Sequence, residues 1–380
     1  MNERRVFVTA LALALGAAIS LGLARFSYAL LLPPMRAELG WSYFTAGAMN
    51  TVNAMGYLVG ALLLPRALAK LDARTIFLAG GWGAALLLAL HGFARSEALL
   101  YALRGLTGVA SAATFASGGL LAARLGQQPG ARPSLVLGLY YGGTGLGIVA
   151  SSLIVPPLTW PVAWQGLALA ALAATLAMGW GTRPLAAAPM AAAARGAGFS
   201  ARDFAFGLAG YLMFGLGYIG YMTFIVTLLR EQGASGATVV AFYILLGCGV
   251  IASSWLWAPL LQRYRGGQPL ALLNALLAVA TLLPVLSAHP LAVFASGALF
   301  GAVFLSLVAS TTALVRHNLP PAAWPAGIAA FTSIFAAGQI VGPSLVGWVA
   351  DGAGGLARGL AVSAGVLALG ALLAARQRAL

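Results

Sequence analysis

Charged residues are scarce in this chain of 380 residues: only 7% are Asp, Glu, Lys or Arg, whereas soluble domains carry about 25%. Hydrophobic residues make up 61% of the chain, and the mean hydropathy is +0.93. With so few charged side chains, the protein cannot present a normal soluble surface to water. The composition therefore excludes a soluble globular protein and predicts an integral membrane protein.

Acidic residues are the rarest charged class, with seven against 21 Lys and Arg, and the formal net charge is +14. In a soluble chain this excess would suggest nucleic-acid binding, but here the basic residues lie in short gaps between apolar segments, as they do in membrane topology signals. We therefore expect the lipid bilayer as partner, and no nucleic acid.

Clusters of catalytic or metal-ligating residues are also lacking. Cys248 is the single cysteine, and the three histidines (His91, His289 and His317) lie far apart and near segment ends. Neither a disulfide framework nor an HExxH-type zinc site is possible with these spacings. No GxxxxGK[ST] loop is present either, so nothing supports direct use of ATP. We expect no cofactor, no metal and no enzymatic activity.

What the sequence does contain is a series of twelve apolar segments, each long enough to cross the roughly 30 Å hydrocarbon core. The first begins after Arg4 and Arg5 and resembles a secretory signal, but it continues past Arg25 to Pro33, so we interpret it as an uncleaved membrane helix. The predicted spans are 6–33, 45–64, 75–93, 98–122, 134–157, 162–181, 203–230, 237–261, 269–287, 290–315, 325–350 and 356–375.

The distribution of Lys and Arg predicts the orientation of these spans. Fifteen lie in one set of gaps, which includes both termini, and four lie in the other set. Because cytoplasmic loops carry the excess of Lys and Arg, both termini are predicted to be cytoplasmic. Arg25 and Arg104 belong to neither set, since both lie inside predicted spans.

An internal repeat is indicated by the long linker rich in Ala, Gly and Pro. It predicts an N-terminal six-helix bundle (1–182), a cytoplasmic linker (183–202) and a C-terminal six-helix bundle (203–380). A shift of 193 positions places Gly40 on Gly233, Tyr28 on Tyr221 and Gly145 on Gly338. Duplicated halves of this kind are typical of secondary transporters, whose substrate site lies near the interface of the repeats.

Three motifs carry a resemblance to a known family. The end of the first span, "GLARFSYALLLPPMRAELGW", resembles the bacterial YbfB/YjiJ-type transporters of the major facilitator superfamily. The segment "RGLTGVASA" (104–112) resembles the superfamily's fourth-helix motif. The segment "GQIVGPSLVGWVAD" (338–351) resembles its eleventh-helix pattern. The resemblance covers essentially the whole chain. It implies an all-α fold of twelve transmembrane helices in two pseudo-symmetric six-helix bundles, located in the bacterial inner membrane.

Two features depart from the superfamily's patterns. Between the second and third spans, Gly60 is followed by Leu64, Pro65 and Arg66 instead of an acidic residue, with Asp72 further on. The fifth span is rich in glycine but lacks the Gly-Pro pair that marks many antiporters of the superfamily. The antiporter function is therefore not carried over to this chain.

Arg25 and Arg104 are the leading candidates for substrate binding. All seven acidic residues fall at segment ends or in loops, so no carboxylate inside the membrane neutralises either arginine. The resemblance implies that the first and fourth helices line a central cavity, where a guanidinium could bind a carboxylate or phosphate through two parallel hydrogen bonds. The alternatives are a structural or coupling role for Arg104, and helix-end carbonyls or snorkelling for Arg25.

Other polar side chains at helical spacing are candidates for the wall of the same cavity, with interhelical hydrogen bonding as the alternative. They lie in the first, second, fifth and seventh spans: Tyr28, Asn50, Asn53, Tyr57, Tyr140, Tyr218 and Tyr221, with Tyr141 and Thr144 next to Tyr140.

The sequence thus predicts a secondary transporter for a small organic solute, with an anion favoured as the substrate and with one chain sufficient for function. The alternative is an efflux pump for neutral or cationic drug-like compounds, although no intramembrane acid would offset a cation. A membrane-embedded enzyme and a receptor are disfavoured because neither clustered catalytic groups nor a soluble signalling domain is apparent. Three alternatives stay open for the driving force: a proton-coupling carboxylate near a helix end (Glu38, Asp203 or Glu231), a proton carried on the substrate itself, or an exchanger or uniporter.

Overall fold

Twelve apolar helices of membrane-spanning length make up the fold in a computed structural model, which describes residues 2–185 and 199–380. No strand occurs among these residues, and the twelve predicted spans are confirmed. The helices are α1 (Glu3–Leu39), α2 (Tyr43–Leu68), α3 (Ala73–His91), α4 (Glu97–Gly126), α5 (Pro133–Ile154), α6 (Trp160–Gly181), α7 (Ala205–Glu231), α8 (Gly236–Arg263), α9 (Gln268–Leu286), α10 (Pro290–Asn318), α11 (Pro321–Ala350) and α12 (Gly355–Ala375).

The first helix is not a regular α-helix throughout. Residues Ala18–Phe26 form a π-helical segment, in which the turn widens and the N–H of Ser27 donates to the carbonyl of Gly22 at 3.0 Å. π-Helical turns occur frequently at functional sites, and this one contains Arg25. The sequence predicts an uninterrupted span here, so the widened turn is a feature that hydrophobicity alone does not reveal.

Helix ends follow local capping rules. The carboxylate of Asp72 accepts hydrogen bonds from the hydroxyl and the N–H of Thr75 and thereby caps the start of α3; these bonds hold the pKa of Asp72 below its ordinary value. Gly40 and Gly233 follow the ends of α1 and α7 with φ of +67° and +86°, a conformation that favours glycine. These two positions are related by the predicted repeat and share one backbone geometry.

The described contacts divide the chain into two compact units, each assembled from three segments. Unit 1 comprises the described residues of Met1–Gly40, Val52–Met190 and Ser235–Ile251. Unit 2 comprises those of Trp41–Thr51, Ala191–Ala234 and Ala252–Leu380. Residues 186–198 of the predicted linker (183–202) lie outside the described residues, and the division into bundles at 1–182 and 203–380 stays a prediction.

In unit 1, glycines allow helix backbones to approach closely. A Cβ on Gly147 of α5 would lie 2.3 Å from the carbonyl oxygen of Ala18 and 2.8 Å from the Cα of Gly22, both in the π-helical segment. A Cβ on Gly56 of α2 would lie 1.9 Å from the carbonyl oxygen of Gly105 in α4. Small residues are the usual means of close helix packing in lipid, and here they hold α1 against α5 and α2 against α4.

Unit 2 contains the same kind of contact between α7 and α11, where Gly215 and Gly338 meet. A stack of aromatic rings extends this packing: the ring centroids of Phe214 and Tyr218 are 4.7 Å apart, and Phe335 lies 5.2 Å from Phe214. Aromatic packing of this sort adds to the dispersion energy that holds membrane helices together.

The first residues of α2 belong to unit 2 through a set of polar bonds. The carboxylate of Asp351, which follows α11, accepts from the N–H groups of Tyr43 and Phe44 at 2.7 and 2.9 Å. The hydroxyl of Tyr43 also donates to Glu231 at the end of α7, and that of Thr51 donates to the carbonyl of Ile340 at 2.6 Å. A carboxylate at a helix N-terminus is favourable because its charge complements the unpaired N–H groups.

We predict that Gly147→Ala lowers the thermal unfolding midpoint, because the added methyl group would collide with the backbone of α1. The matched control is Gly365→Ala in α12, where a Cβ meets no atom within 4 Å. Thermal unfolding in detergent measures the difference. Equal midpoints for the two variants would show that the close approach of α1 and α5 is not required.

We predict that Asp351→Ala destabilises the protein by about 1–3 kcal/mol, the usual cost of removing a charged hydrogen-bonding partner. Asp203→Ala is the control, since the carboxylate of Asp203 caps no helix in the described structure. Chemical denaturation in detergent provides the comparison. Loss of stability that is no greater in Asp351→Ala than in the control would contradict a structural role for this cap.

Candidate functional site

Two arginines are buried within unit 1, and both project from the spans in which the sequence places them. Arg25 of α1 is 3% exposed and Arg104 of α4 is 1% exposed. All seven acidic residues lie within two positions of a helix end or between helices, as predicted. The two cations are therefore buried among apolar helices, and no carboxylate lies in the interior of any span.

Arg104 is tied to α1. Its Nη1 donates to the carbonyl of Ala24 at 2.9 Å, and its guanidinium carbon lies 4.7 Å from the ring centroid of Tyr28. Its own backbone carbonyl accepts a hydrogen bond from Nδ2 of Asn53 at 3.0 Å. Carbonyl and cation–π contacts both stabilise a buried cation. Arg104 thereby links α1, α2 and α4 within unit 1.

Arg25 is in a different electrostatic situation. Its Nε and Nη2 atoms are buried and have no hydrogen-bond partner, and its guanidinium carbon lies 6.0 Å from the ring centroid of Phe26. Arg104 is close enough to interact with its charge. Leaving a cation desolvated and without hydrogen bonds is costly. Two adjacent donors of a planar guanidinium match the two oxygens of a carboxylate or phosphate.

The remaining candidates in unit 1 fall into two groups. Tyr28 and Asn53 lie beside Arg104 through the contacts given above. Tyr140 of α5 donates its hydroxyl to the carbonyl of Phe115 in α4, and Tyr57 lies near enough to interact with it. The structure thus brings Arg25, Tyr28, Asn53 and Arg104 together, whereas Tyr140 is engaged in a bond between α5 and α4.

The three other candidates belong to unit 2, where each has a hydrogen bond inside that unit. Nδ2 of Asn50 donates to Oγ1 of Thr223 at 2.8 Å, and the hydroxyl of Tyr218 donates to Oε1 of Gln339 at 2.6 Å. The hydroxyl of Tyr221 lies 2.7 Å from Oγ of Ser296, and its ring stacks on Phe300 at 4.0 Å. These are the interhelical bonds that the sequence left as an alternative, and a role in substrate binding stays a prediction.

His91 was not identified as a site residue from the sequence, because it ends a span and resembles an interfacial histidine. It is fully buried, its ring stacks on Trp164 at 4.4 Å, and its Nδ1 lies 2.7 Å from the carbonyl of Leu87. Its Nε2 is buried without a hydrogen-bond partner. No sequence spacing relates His91 to Arg104. The two residues come close enough to interact electrostatically because α3 packs on α4.

Two further polar residues of α4, Thr107 and Ser111, are not among the candidates that the sequence predicts. They follow Arg104 at intervals of three and four residues, hence on one face of α4, and both are buried.

Within residues 2–185 and 199–380, no group of three or more His, Cys, Asp or Glu side chains is arranged to hold a metal ion.

We predict that Arg104→Met lowers stability, whereas Arg25→Met leaves it unchanged or raises it. The first substitution removes bonds to Ala24 and Tyr28 and costs about 1–3 kcal/mol; the second replaces a buried cation that lacks partners at two of its nitrogens by an apolar chain of similar length. Unfolding midpoints of both variants in detergent give the comparison. The reverse order would show that Arg25, not Arg104, is the structural arginine.

Solved structures of membrane transporters share this fold. A point mutant of the nucleoside transporter NupG superposes with a TM-score of 0.78 at 16% identity, covering 97% of this chain and 99% of that one. A bacterial homolog of the human lysosomal transporter Spinster gives 0.73 at 15% identity, covering 97% and 96%. The human organic anion transporter MFSD10 (TETRAN) gives 0.67 at 17% identity, covering 98% and 100%. Identities this low show similarity of fold alone.

Sequence comparison assigns the family. No curated protein matches the chain. The profile of a family described as "Uncharacterised MFS-type transporter YbfB" matches residues 17–375, which is nearly the full length. The match agrees with the motifs of the first, fourth and eleventh helices and with the twelve-helix fold. The chain therefore belongs to the YbfB-type family of major facilitator superfamily transporters and is a multi-pass membrane protein.

Proposed function

We propose that this transporter carries a small organic anion and that Arg25 binds the anionic group. The observation that supports this proposal is the state of the Arg25 side chain: buried, cationic, and without hydrogen-bond partners at Nε and Nη2. A carboxylate or phosphate monoester would supply both missing acceptors and the missing negative charge. Ionisable residues inside a membrane protein are expected to serve function unless a structural partner explains them.

The contrast with Arg104 sharpens the proposal. Both residues have the same chemistry and comparable burial, but Arg104 has a backbone carbonyl and an aromatic ring as partners. Arg104 and Tyr28 therefore form a rigid support, and the cationic field of Arg104 adds to that of Arg25. An anion bound at Arg25 would be attracted by two positive charges and would be held by one bidentate contact.

The mechanism we propose is alternating access, in which the substrate site is opened to one side of the membrane at a time. Both termini are taken as cytoplasmic, so the start of α2, the end of α7 and the end of α11 would lie on the periplasmic side of a bacterial inner membrane. The bonds of Tyr43 and Phe44 to Asp351 join the start of α2 to the end of α11, and we propose that they break when the site opens toward the periplasm. One chain contains all of these elements, and we propose that it functions as a monomer.

Names of structural neighbours do not decide the substrate. One of the similar structures is an organic anion transporter and another is a nucleoside transporter, and the identities of 16–17% are too low to transfer either activity. The alternative is efflux of neutral or cationic drugs. A cation would find no acidic side chain inside the spans to offset its charge, because every acidic side chain lies at or beyond a helix end.

We predict that an anion raises the unfolding temperature of the purified protein and that Arg25→Gln abolishes this shift. A ligand that binds only the folded state stabilises it in proportion to the logarithm of its concentration. Benzoate, succinate and phenyl phosphate serve as probes of one carboxylate, two carboxylates and a phosphate monoester. Arg358→Gln is the matched control, because Arg358 is exposed and donates to the carbonyl of Ala353, just before the start of α12.

The screen includes lipophilic cations and uncharged drugs as competing probes. If an anion still stabilises Arg25→Gln, Arg25 does not belong to the binding site, but the protein remains an anion carrier. Stabilisation by cations or neutral compounds alone would contradict the anion proposal and favour the efflux function.

A further inference from the structure

The spans of this transporter contain no carboxylate that could act as a buried proton carrier, since all seven acidic residues lie at or beyond helix ends. Proton-coupled carriers generally need a titratable group inside the membrane. His91 is fully buried and lies at the end of α3 in unit 1. Histidine is the side chain whose ordinary titration range is nearest to neutral pH.

The hydrogen bonding of His91 leaves one ring nitrogen available. Because Nδ1 lies 2.7 Å from the carbonyl of Leu87, which can only accept, Nδ1 carries the hydrogen and donates it. In the neutral ring Nε2 then has a lone pair, and this atom is buried without a hydrogen-bond partner. Stacking on Trp164, with ring planes 28° apart, fixes the orientation of the ring. His91 is thus held as a neutral base with a free acceptor nitrogen.

The charged groups near His91 are cationic. The helix that ends at His91, α3, packs against α4, which carries Arg104, and against the π-helical segment of α1, which carries Arg25. Tyr28 of α1 lies under Arg104, and Arg95 follows α3 in the adjoining loop. The third helix packed against α3 is α6, which contributes no titratable side chain but does contribute Trp164. On α4, Tyr101 is hydrogen-bonded to Glu97, one helical turn closer to the start of that helix.

This arrangement makes protonation of His91 depend on an anion. With Arg25 and Arg104 uncompensated, a proton on Nε2 would add a third positive charge to a desolvated region. An anion at Arg25 would cancel one of these charges and lower the cost of adding a proton. A proton on Nε2 would, in turn, make the region more attractive to an anion, since linkage is reciprocal.

We propose that His91 takes up a proton at Nε2 when an organic anion binds at Arg25, so that anion and proton bind together. The proposal rests on the anion function proposed above. The proton comes from water, the imidazole becomes an imidazolium, and no covalent bond is made or broken in the substrate. Binding of a monovalent anion together with one proton leaves the net charge of the site unchanged. This carrier could therefore couple transport to protons without a carboxylate inside the membrane.

The test is proton uptake on binding of benzoate, succinate or phenyl phosphate to the full-length protein in detergent. Isothermal titration at pH 6.5 in two cationic buffers of different ionisation enthalpy gives the number of protons taken up. The wild type is expected to take up a measurable fraction of one proton per anion, with one proton as the limit for a single linked group, and to lose at most about tenfold in affinity per unit rise in pH. His91→Asn retains a donor for the Leu87 carbonyl and is expected to bind the anion without this uptake.

His289→Asn is the control, because His289 is exposed and caps the start of α10 in unit 2, and uptake should be unchanged there. Anion binding by the wild type without proton uptake, or uptake that persists in His91→Asn, would overturn the role of His91 and leave the anion function standing. His91→Gln provides a second neutral variant if His91→Asn does not fold. Failure of all three anions to bind the wild type would overturn the anion function and this inference together.

Discussion

The structure depends on how two guanidinium groups are accommodated among apolar helices whose acidic residues all lie at their ends. Arg104 shows the structural solution, with a backbone carbonyl of α1 and the ring of Tyr28 as its partners. Arg25 has no such partners at Nε and Nη2, although its burial is nearly as complete. This difference between two chemically identical side chains is the basis for the proposal that Arg104 supports the site and Arg25 binds the substrate.

The local shape of α1 connects this electrostatic arrangement to packing. The π-helical segment Ala18–Phe26 contains the carbonyl acceptor for Arg104, and the hydroxyl of Tyr243 donates to the carbonyl of Phe26 at its end. Gly147 of α5 approaches this segment so closely that even a methyl group would collide. Close packing on one side and carbonyl–guanidinium bonding on the other thus hold the irregular turn that presents Arg25.

The sequence was sufficient for those features that hydrophobicity and charge determine. Apolar length predicts all twelve helices, and Gly40 and Gly233, which the predicted repeat pairs, both have a left-handed conformation. The burial of Arg25 and Arg104 also follows from their positions within spans. The π-helical turn, the free Nε2 of His91 and the bonds of α2 to Asp351 could not be predicted, because each depends on contacts between residues distant in sequence.

We propose that Arg25 is kept without hydrogen bonds at Nε and Nη2 until an anionic substrate supplies them. A structure of the protein with a stabilising anion bound tests this most directly. We expect two anion oxygens at about 2.7–2.9 Å from Nε and Nη2 of Arg25, with the bond from Arg104 to the Ala24 carbonyl retained. An anion bound elsewhere, with those two nitrogens still lacking partners, would contradict it.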